Sequence, residues 1–454
     1  MNRIFTDFSK VTGKIKPMHA INNGPYAFPG QDGMNHLYHR IRDAGIPYAR
    51  LHDTGGSYGG SHFVDIPNIF PDIQADPADP SSYDFKFTDF LMEKLVSHGM
   101  QPFYRLGVTI ENSHRVKPYA IFPPSDNLKW AKICEGIIRH YNEGWADGFY
   151  YGIIYWEIWN EPDNEPEIAD NPMWKGTAEQ YFMMYETVSR HLKECFPSIK
   201  IGGYSSCGFY ALSDKNYSET AKSSSRVGYF VEFFLGFLKY ITQPEHRCPF
   251  DFFSWHSYAG IEDNTKYADY VKEKLTLYGF GDTEIIFNEW NPGIANRGTL
   301  LDAANIAAMM CGMQKTPTDM CMYYDGQIAS AYCGIFDPVK KDIFPAYYAF
   351  VAFNELYKLG DEVLSESDNT ALYVASASAG SDSASIIVNT GGELPVKICY
   401  EGFGKSANTK MTRILLDDNH NFIHTESIIF NGDIIMFEKS LPSNSISLSK
   451  FTKY

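Results

Sequence analysis

Two glutamates stand in matching surroundings. Asn160-Glu161-Pro162 closes the aromatic stretch Tyr155-Trp156-Glu157-Ile158-Trp159, and Asn288-Glu289-Trp290 closes Glu284-Ile285-Ile286-Phe287. Each carboxylate follows an amide at the end of an apolar run that reads as a buried strand. A single glutamate in such a place is more often a cap or a surface ion pair than a catalyst. Two of them, each preceded by Asn on an aromatic-rich strand, point to acid–base and nucleophilic work on one bond. Hydrolysis of a glycosidic bond asks for such a pair: one carboxyl protonates the leaving oxygen while the other, about 5 Å away, attacks the anomeric carbon.

Those glutamates need rigid elements to hold them, and the chain supplies a repeating rhythm of short apolar strand and amphipathic helix. After a segment opening at Lys16, strands are expected at 48–52, 102–107, 155–159, 200–203, 251–256, 284–290 and 320–324. Helices are expected at 34–44, 90–98, 130–141, 178–195, 227–240, 267–278, 303–314 and 347–359, with a long rim loop from Asp53 to Tyr83. Eight such units predict an α/β fold, a (β/α)8 TIM barrel over residues 16–360, with functional groups at the carboxyl ends of the strands. Those ends carry His52 and Asp53, Arg105, Asn160 and Glu161, His256, Glu289, and Tyr323 to Asp325. After Gly360 helices give way to alternating segments at 371–375, 383–388, 396–400, 411–416, 428–437 and 445–448, the spacing of a C-terminal β-sandwich over 361–454. The isolated strand in residues 1–15 is expected to complete it.

Composition narrows the partners. Aromatics make up 15% of the 454 residues, with 31 tyrosines, whose rings stack while their hydroxyls bond, a combination suited to sugars. A net charge of -16 and the lack of any basic run argue against nucleic acid. The eight cysteines form no CxxC pair, so neither a structural metal site nor a cofactor is expected. With no apolar run of membrane-spanning length and no apolar N-terminal stretch, the expectation is a cytoplasmic protein with no membrane partner.

The motifs Trp159-Asn160-Glu161-Pro162 and Asn288-Glu289-Trp290-Asn291 resemble the strand-four and strand-seven signatures of clan A retaining glycosidases. Tyr48–His52, Phe103–Gly107, Ile201–Gly203, Phe252–Tyr258 and Pro345–Phe350 further resemble family 39 of the glycoside hydrolases, the β-xylosidase and α-L-iduronidase family. The resemblance implies Glu161 as acid/base, Glu289 as nucleophile, and Asn160 bonding the sugar 2-hydroxyl. His52 and His256 would touch hydroxyls or keep Glu289 ionised, and Tyr258 would bond the nucleophile. Arg105, Glu111, Trp290, Tyr323 and Asp325 complete the expected substrate-contacting set. Strand eight ends in Tyr323-Tyr324-Asp325, where xylosidases of the family place a tryptophan, so the platform under the sugar differs. The chemistry asks that Glu161 be protonated and Glu289 ionised.

The expected activity is a retaining, exo-acting glycosidase on an oligosaccharide or glycoside, with a β-xyloside as the default. An endo-acting polysaccharide hydrolase of the same clan and a catalytically silent carbohydrate-binding protein stay open as alternatives. A homo-oligomer stays open too, because members of the family often assemble into tetramers through the accessory sandwich.

Overall fold

A parallel strand reading as a continuous apolar run must be covered on both faces, and closing the sheet inside a ring of helices does so without leaving an edge. The computed structural model describes residues 1–24, 37–52, 64–109, 121–213, 225–328, 330–405 and 407–454. A first strand, β1 (Asn2–Lys14), precedes the barrel. The barrel comprises β2 (Ala20–Asn22), β3 (Tyr48–Arg50), β4 (Gln101–Leu106), β5 (Tyr155–Ile158), β6 (Lys200–Ser206), β7 (Phe252–Ser257), β8 (Glu284–Trp290) and β9 (Met320–Tyr324). These close in chain order, β2 pairing in parallel with both β3 and β9.

Helices α1 (Leu37–Ala44), α2 (Ile66–Ile69), α3 (Lys86–Ser97), α4 (Asn127–Glu143), α5 (Ala178–Cys195), α6 (Arg226–Thr242), α7 (Ile261–Leu277), α8 (Leu300–Gln314) and α9 (Tyr347–Leu359) lie among the described residues. α5 and α9 fall where periodicity places them. α5 opens on a capping box, Thr177 accepting from the Gln180 backbone while Gln180 reaches back to Thr177. α7 starts six residues before its expected Tyr267, because Glu262, Asp263 and Asn264 leave its first turn without an apolar stripe to read. α1 is described from Leu37, and the expected start at Met34 lies outside the described residues.

Past a short hairpin, β10 (Phe336–Asp337) and β11 (Asp342–Ile343), come β12 (Asp361–Ser367), β13 (Leu372–Ala379), β14 (Asp382–Asn389), β15 (Leu394–Glu401), β16 (Asn408–Leu416), β17 (Asn421–Asn431), β18 (Ile434–Leu441) and β19 (Ser445–Lys453). They form one sheet with β1, in the order β17-β16-β19-β14-β13-β12-β1-β15-β18. β12 was not foreseen. The segment 428–437, expected as one strand, is a hairpin that turns at Gly432, whose φ of 117° requires glycine.

The sheet rolls over on itself. Its two edge strands meet where Lys439 of β18 pairs with Glu426 of β17, and the roll encloses Ile4, Phe8, Tyr400, Met411 and Phe451. The outer face, with Ala375, Ala377, Ile386, Val388 and Leu448, merges into the core under α8 and α9. Tyr348 of α9 stacks on Phe422 of β17 at 5.0 Å, and Lys450 pairs with Glu355 of α9.

Candidate active site

Side chains alternate along each barrel strand, so the inward residues form layers. The lower end of the barrel holds Ala20, Phe103, Tyr155, Phe252, Ile286, Met320 and Met322, all buried. Two residues further along, the layer turns polar. Arg50 Nε donates to Glu157 Oε2 at 2.8 Å, and Glu157 Oε1 accepts from Ser254 Oγ and Asn288 Nδ2, both at 2.6 Å. Arg50 Nη2 also donates to Asn160 Oδ1 at 2.7 Å and to Ser205 Oγ at 2.8 Å. Arg50 and Glu157 are wholly buried, so their charges are balanced by each other and by these donors and acceptors.

Glu161 sits on the next level through a sharp change of direction. β5 ends at Ile158, after which Trp159 and Glu161 adopt φ of 74° and 47°. Residues other than glycine hold that conformation at a cost of about 1–3 kcal/mol each, and only where their surroundings over-determine it. Here the Trp159 indole is buried and donates to Met173 O at 2.9 Å, while Glu161 N donates to Tyr204 O at 3.1 Å and Ser205 O at 3.2 Å. Gly107 allows the close approach, since a Cβ there would lie 2.9 Å from Trp159 Cα. Asp163 ties the same turn to β6 by accepting from Ser206 Oγ at 2.7 Å, and burial pushes its carboxyl up to about 7.

Glu289 reaches the mouth by a different device. Asn288 points inward, so strict alternation would send Glu289 outward into the helices. β8 instead carries an extra residue opposite β7: Trp255 pairs with Phe287 but His256 pairs with Glu289, and the bulge turns both Asn288 and Glu289 inward. Tyr258 OH donates to Glu289 Oε1 at 2.7 Å and Asn22 Nδ2 to Oε2 at 3.2 Å. His52 Nε2 is 3.4 Å and Arg50 Nη1 3.7 Å from that same Oε2.

His256 stands between the glutamates. Its Nδ1 is 2.8 Å from Glu161 Oε1 and 3.7 Å from Glu289 Oε2, and donor atoms of all three residues lie within 4.8 Å of one another. Burial works against charge on the ring, but Glu289 and Glu161 outweigh it and raise the His256 pKa. Glu161 is likewise disfavoured by burial as an anion, yet hydrogen bonds from His256 and Asn164 and the charges of His256 and Arg226 hold it below its ordinary value. Glu289 is pushed up by burial and by the Glu161 charge, against the pull of His256, Arg50 and Tyr258. This reverses the expected order of the two carboxyls, because His256 donates to Glu161 rather than to Glu289. Burial, then the charges of Arg50, Arg105 and His256, keep His52 neutral.

A cavity of about 510 Å³ opens over this pair, lined by His52, Asn160, Glu161, His256, Tyr258 and Glu289 together with Asn164, Cys207, Tyr210, Arg226, Val227, Phe230, Tyr324 and Tyr332. Six residues expected from sequence thus converge. Three do not. Arg105 Nη2 donates to Asp65 Oδ1 at 2.6 Å and His52 O at 2.9 Å, wholly buried in a structural ion pair, so the arginine beside Glu289 is Arg50. Tyr323 and Trp290 alternate outward and pack edge-on at 5.3 Å, with Tyr323 OH donating to Tyr332 O at 2.8 Å. Their place in the cavity is taken by Tyr324, which contacts the Tyr332 ring at 5.3 Å. Asp325 is buried and accepts from Gln327 N at 3.2 Å, away from the cavity lining. Glu111 and Asp53 lie outside the described residues.

Among residues not foreseen, Arg50 had a legible signal, since it sits two positions before His52 on the same face of one strand. Asn164, three residues after Glu161, donates to Glu161 Oε2 at 2.8 Å and is itself held by Arg226 Nη2 at 2.7 Å. Arg226 and Tyr210 come from distant segments with no local mark. Besides the Glu161–His256–Glu289 trio, one further set of metal-type donors occurs among the described residues, Glu135, His191 and Cys195 between α4 and α5. A separate cavity of about 670 Å³, between residues 74–78 and α4, contains neither glutamate. No helix of the described residues is long and apolar enough to cross a membrane.

Comparison with known proteins agrees with this architecture. The chain is similar to a β-xylosidase of Geobacillus stearothermophilus, 25% identical over 221 residues, a match covering 46% of this chain and 37% of that protein. The chain therefore matches well under half the length of that relative. In fold it is similar to a glucosidase from Croceicoccus marinus, with a TM-score of 0.78, 20% identity, and coverage of 100% of this chain and 99% of that one. A monomeric β-xylosidase from Caulobacter crescentus CB15 aligns with a TM-score of 0.68 at 14% identity, over 100% of this chain and 99% of that one. A sequence model of the glycosyl hydrolases family 39 matches residues 64–325, more than half of the chain and the span that carries both glutamates, and the protein belongs to that family.

Proposed function

We propose that this protein is a retaining glycoside hydrolase that removes a terminal sugar from an oligosaccharide or glycoside, with a β-xyloside as the first substrate to test. The observation that carries the reading is the approach of the Glu161 and Glu289 carboxylate oxygens to within 4.8 Å at the carboxyl end of the barrel. Retaining enzymes hold their carboxyls about 5–5.5 Å apart, whereas inverting ones keep about 6.5–9.5 Å to admit a water.

Glu289 is the nucleophile. Tyr258, Asn22, His52 and Arg50 surround its two oxygens and hold the carboxylate toward the anomeric carbon. Its attack breaks the glycosidic bond, whose oxygen leaves with a proton from Glu161. The source of that proton is protonated His256, 2.8 Å from Glu161, which passes it along the existing hydrogen bond and becomes neutral. In the second half, Glu161 takes a proton from water as that water attacks the glycosyl–Glu289 ester, and the sugar leaves with its configuration retained. Asn160 accepts from Arg50 through its carbonyl oxygen, which reserves its NH₂ for the sugar. The cavity volume falls in the range of small-ligand pockets, roughly 300–1,000 Å³, and Tyr324 and Tyr332 offer ring faces on one side; both features favour exo action. The likeness to the Geobacillus β-xylosidase supports the pentose.

The test is a panel of chromogenic α- and β-glycosides of pentoses, hexoses and uronic acids, with the first-formed anomer read by NMR. Glu161→Ala and Glu289→Ala are expected to lose turnover, with azide restoring it as the β-glycosyl azide in the first and the α-glycosyl azide in the second. Near-wild-type turnover by either variant would sink the assignment.

A further inference from the structure

Outside the barrel mouth, α4 and α5 bring together a set of side chains with no part in sugar chemistry. His191 and Cys195 stand one turn apart on α5 and share a face. Glu135 of α4 faces them. His191 Nε2 is 2.7 Å from Glu135 Oε2, Cys195 Sγ is 3.9 Å from His191 Nε2, and donor atoms of all three lie within 4.8 Å of one another. Glutamate oxygen, imidazole nitrogen and thiolate sulfur form the mixed donor set that borderline-soft divalent ions of the zinc class prefer.

We propose that Glu135, His191 and Cys195 form a binding site for a Zn²⁺-class ion that staples α4 to α5. The spacing fits with little movement. Zinc–nitrogen and zinc–oxygen bonds of about 2.1 Å and a zinc–sulfur bond of about 2.3 Å at tetrahedral angles put neighbouring donors roughly 3.4–3.6 Å apart. The His191–Glu135 pair would open by roughly 0.7 Å and the Cys195–His191 pair close by roughly 0.3 Å, within reach of side-chain rotation.

The Glu135 carboxylate is already held from its far side. Arg139 Nε donates to Glu135 Oε1 at 2.8 Å, which holds the carboxylate and leaves Oε2 for the ion. The guanidinium charge opposes the dication, so the affinity is below that of a closed structural site. Glu135 also lines the 670 Å³ cavity beside α4, which gives the site a path from solvent. On binding, the Cys195 thiol gives its proton to solvent as the metal–sulfur bond forms. α4 and α5 flank β5 in the chain, so the ion braces the two helices around the strand that leads into Glu161, and the inference stands whatever bond the active site cleaves.

The experiment is a Co²⁺ titration of the chelator-treated 454-residue chain with its thiols reduced. The wild type is expected to take up one equivalent with a near-ultraviolet thiolate-to-Co²⁺ charge-transfer band that Zn²⁺ abolishes. Cys195→Ser and His191→Ala are expected to lose the band, while Cys399→Ser, which removes the other partly exposed thiol, keeps it. Occupancy of the Glu161–His256–Glu289 trio gives no such band, because it holds no sulfur. A wild type without the band, or a band that survives in Cys195→Ser, overturns the site. Should Cys195→Ser fail to fold, thiol labelling of the wild type with peptide mapping takes its place: Zn²⁺ is expected to slow labelling at Cys195, and unchanged labelling at saturating Zn²⁺ overturns it equally.

Discussion

His256 holds its Nδ1 2.8 Å from Glu161 Oε1, and that contact couples the titration of the two groups. It lowers the Glu161 pKa and contributes to raising that of His256, both in the direction that favours the proton on the ring and the charge on the carboxylate. Activity then persists only while His256 is protonated and falls as pH rises through its raised pKa. In His256→Asn that store is gone, and the alkaline limb passes to Glu161 itself. The limb is expected at lower pH, with kcat/KM down about 10²-fold or more, the usual contribution of a positioned acid–base group. A pH–rate profile with an unmoved alkaline limb would show that His256 is not the proton store.

Tyr258 OH bonds Glu289 Oε1 at 2.7 Å. A hydrogen bond to a charged group is worth about 1.5–3 kcal/mol, so Tyr258→Phe is expected to lower kcat/KM by about 10- to 150-fold. The comparison of kcat with KM tells whether the bond acts in the transition state: a loss confined to KM would place Tyr258 in ground-state binding only.

The alternation on β9 makes a paired prediction. Tyr324→Ala removes a ring that lines the cavity and is expected to raise KM up to about tenfold, at most the ~1.4 kcal/mol of one aromatic contact. Tyr323→Phe, on the helix side, leaves KM within about twofold and lowers the thermal midpoint instead, through loss of its bond to Tyr332 O, worth about 1 kcal/mol. The reverse pattern in steady-state kinetics would refute the parity.

Arg50 and Glu157 are buried together, so removing one strands the other. Arg50→Met is expected to cost about 3–5 kcal/mol in urea unfolding and to abolish activity, since Glu157 is left as an unpaired buried charge. Adding Glu157→Gln should recover stability without recovering activity. A double variant as unstable as the single one would mean that packing, not charge, sets the cost.

His19 reports on acid stability. Burial, opposed by hydrogen bonds to Asn354 and Gly45, lowers its pKa to about 4. The unfolded chain therefore binds a proton below about 6.5 that the folded protein refuses until about 4. Stability present above that upper value is lost as pH falls through this window, by ~3 kcal/mol in all. In His19→Gln, unfolding free energies measured at pH 7 and pH 5 are expected to differ less than in the wild type; an equal difference would assign the acid sensitivity elsewhere.

The barrel and its two glutamates were legible in the chain because both rest on local patterns. Apolar runs such as Glu284–Phe287, the helix Tyr347–Leu359 with its apolar stripe, and carboxylates at strand ends are properties of neighbouring residues, and period two or 3.6 carries them. Contacts between strands have no such carrier. Arg50 and Arg105 look alike in sequence, and only the partners brought by folding, Glu157 for one and Asp65 for the other, decide which cation serves the mouth. Strict alternation sends Tyr323 outward and Tyr324 inward, but a bulge turns Glu289 inward and Trp290 outward against the parity of their strand, and a bulge belongs to the pairing of two strands. The charge states of Glu161, Glu289 and His256 belong to the trio as a unit, since each is set by burial and by groups far away in the chain. The Glu135–His191–Cys195 cluster is likewise half visible: His191 and Cys195 show as one helical turn, while Glu135 arrives only because α4 packs on α5.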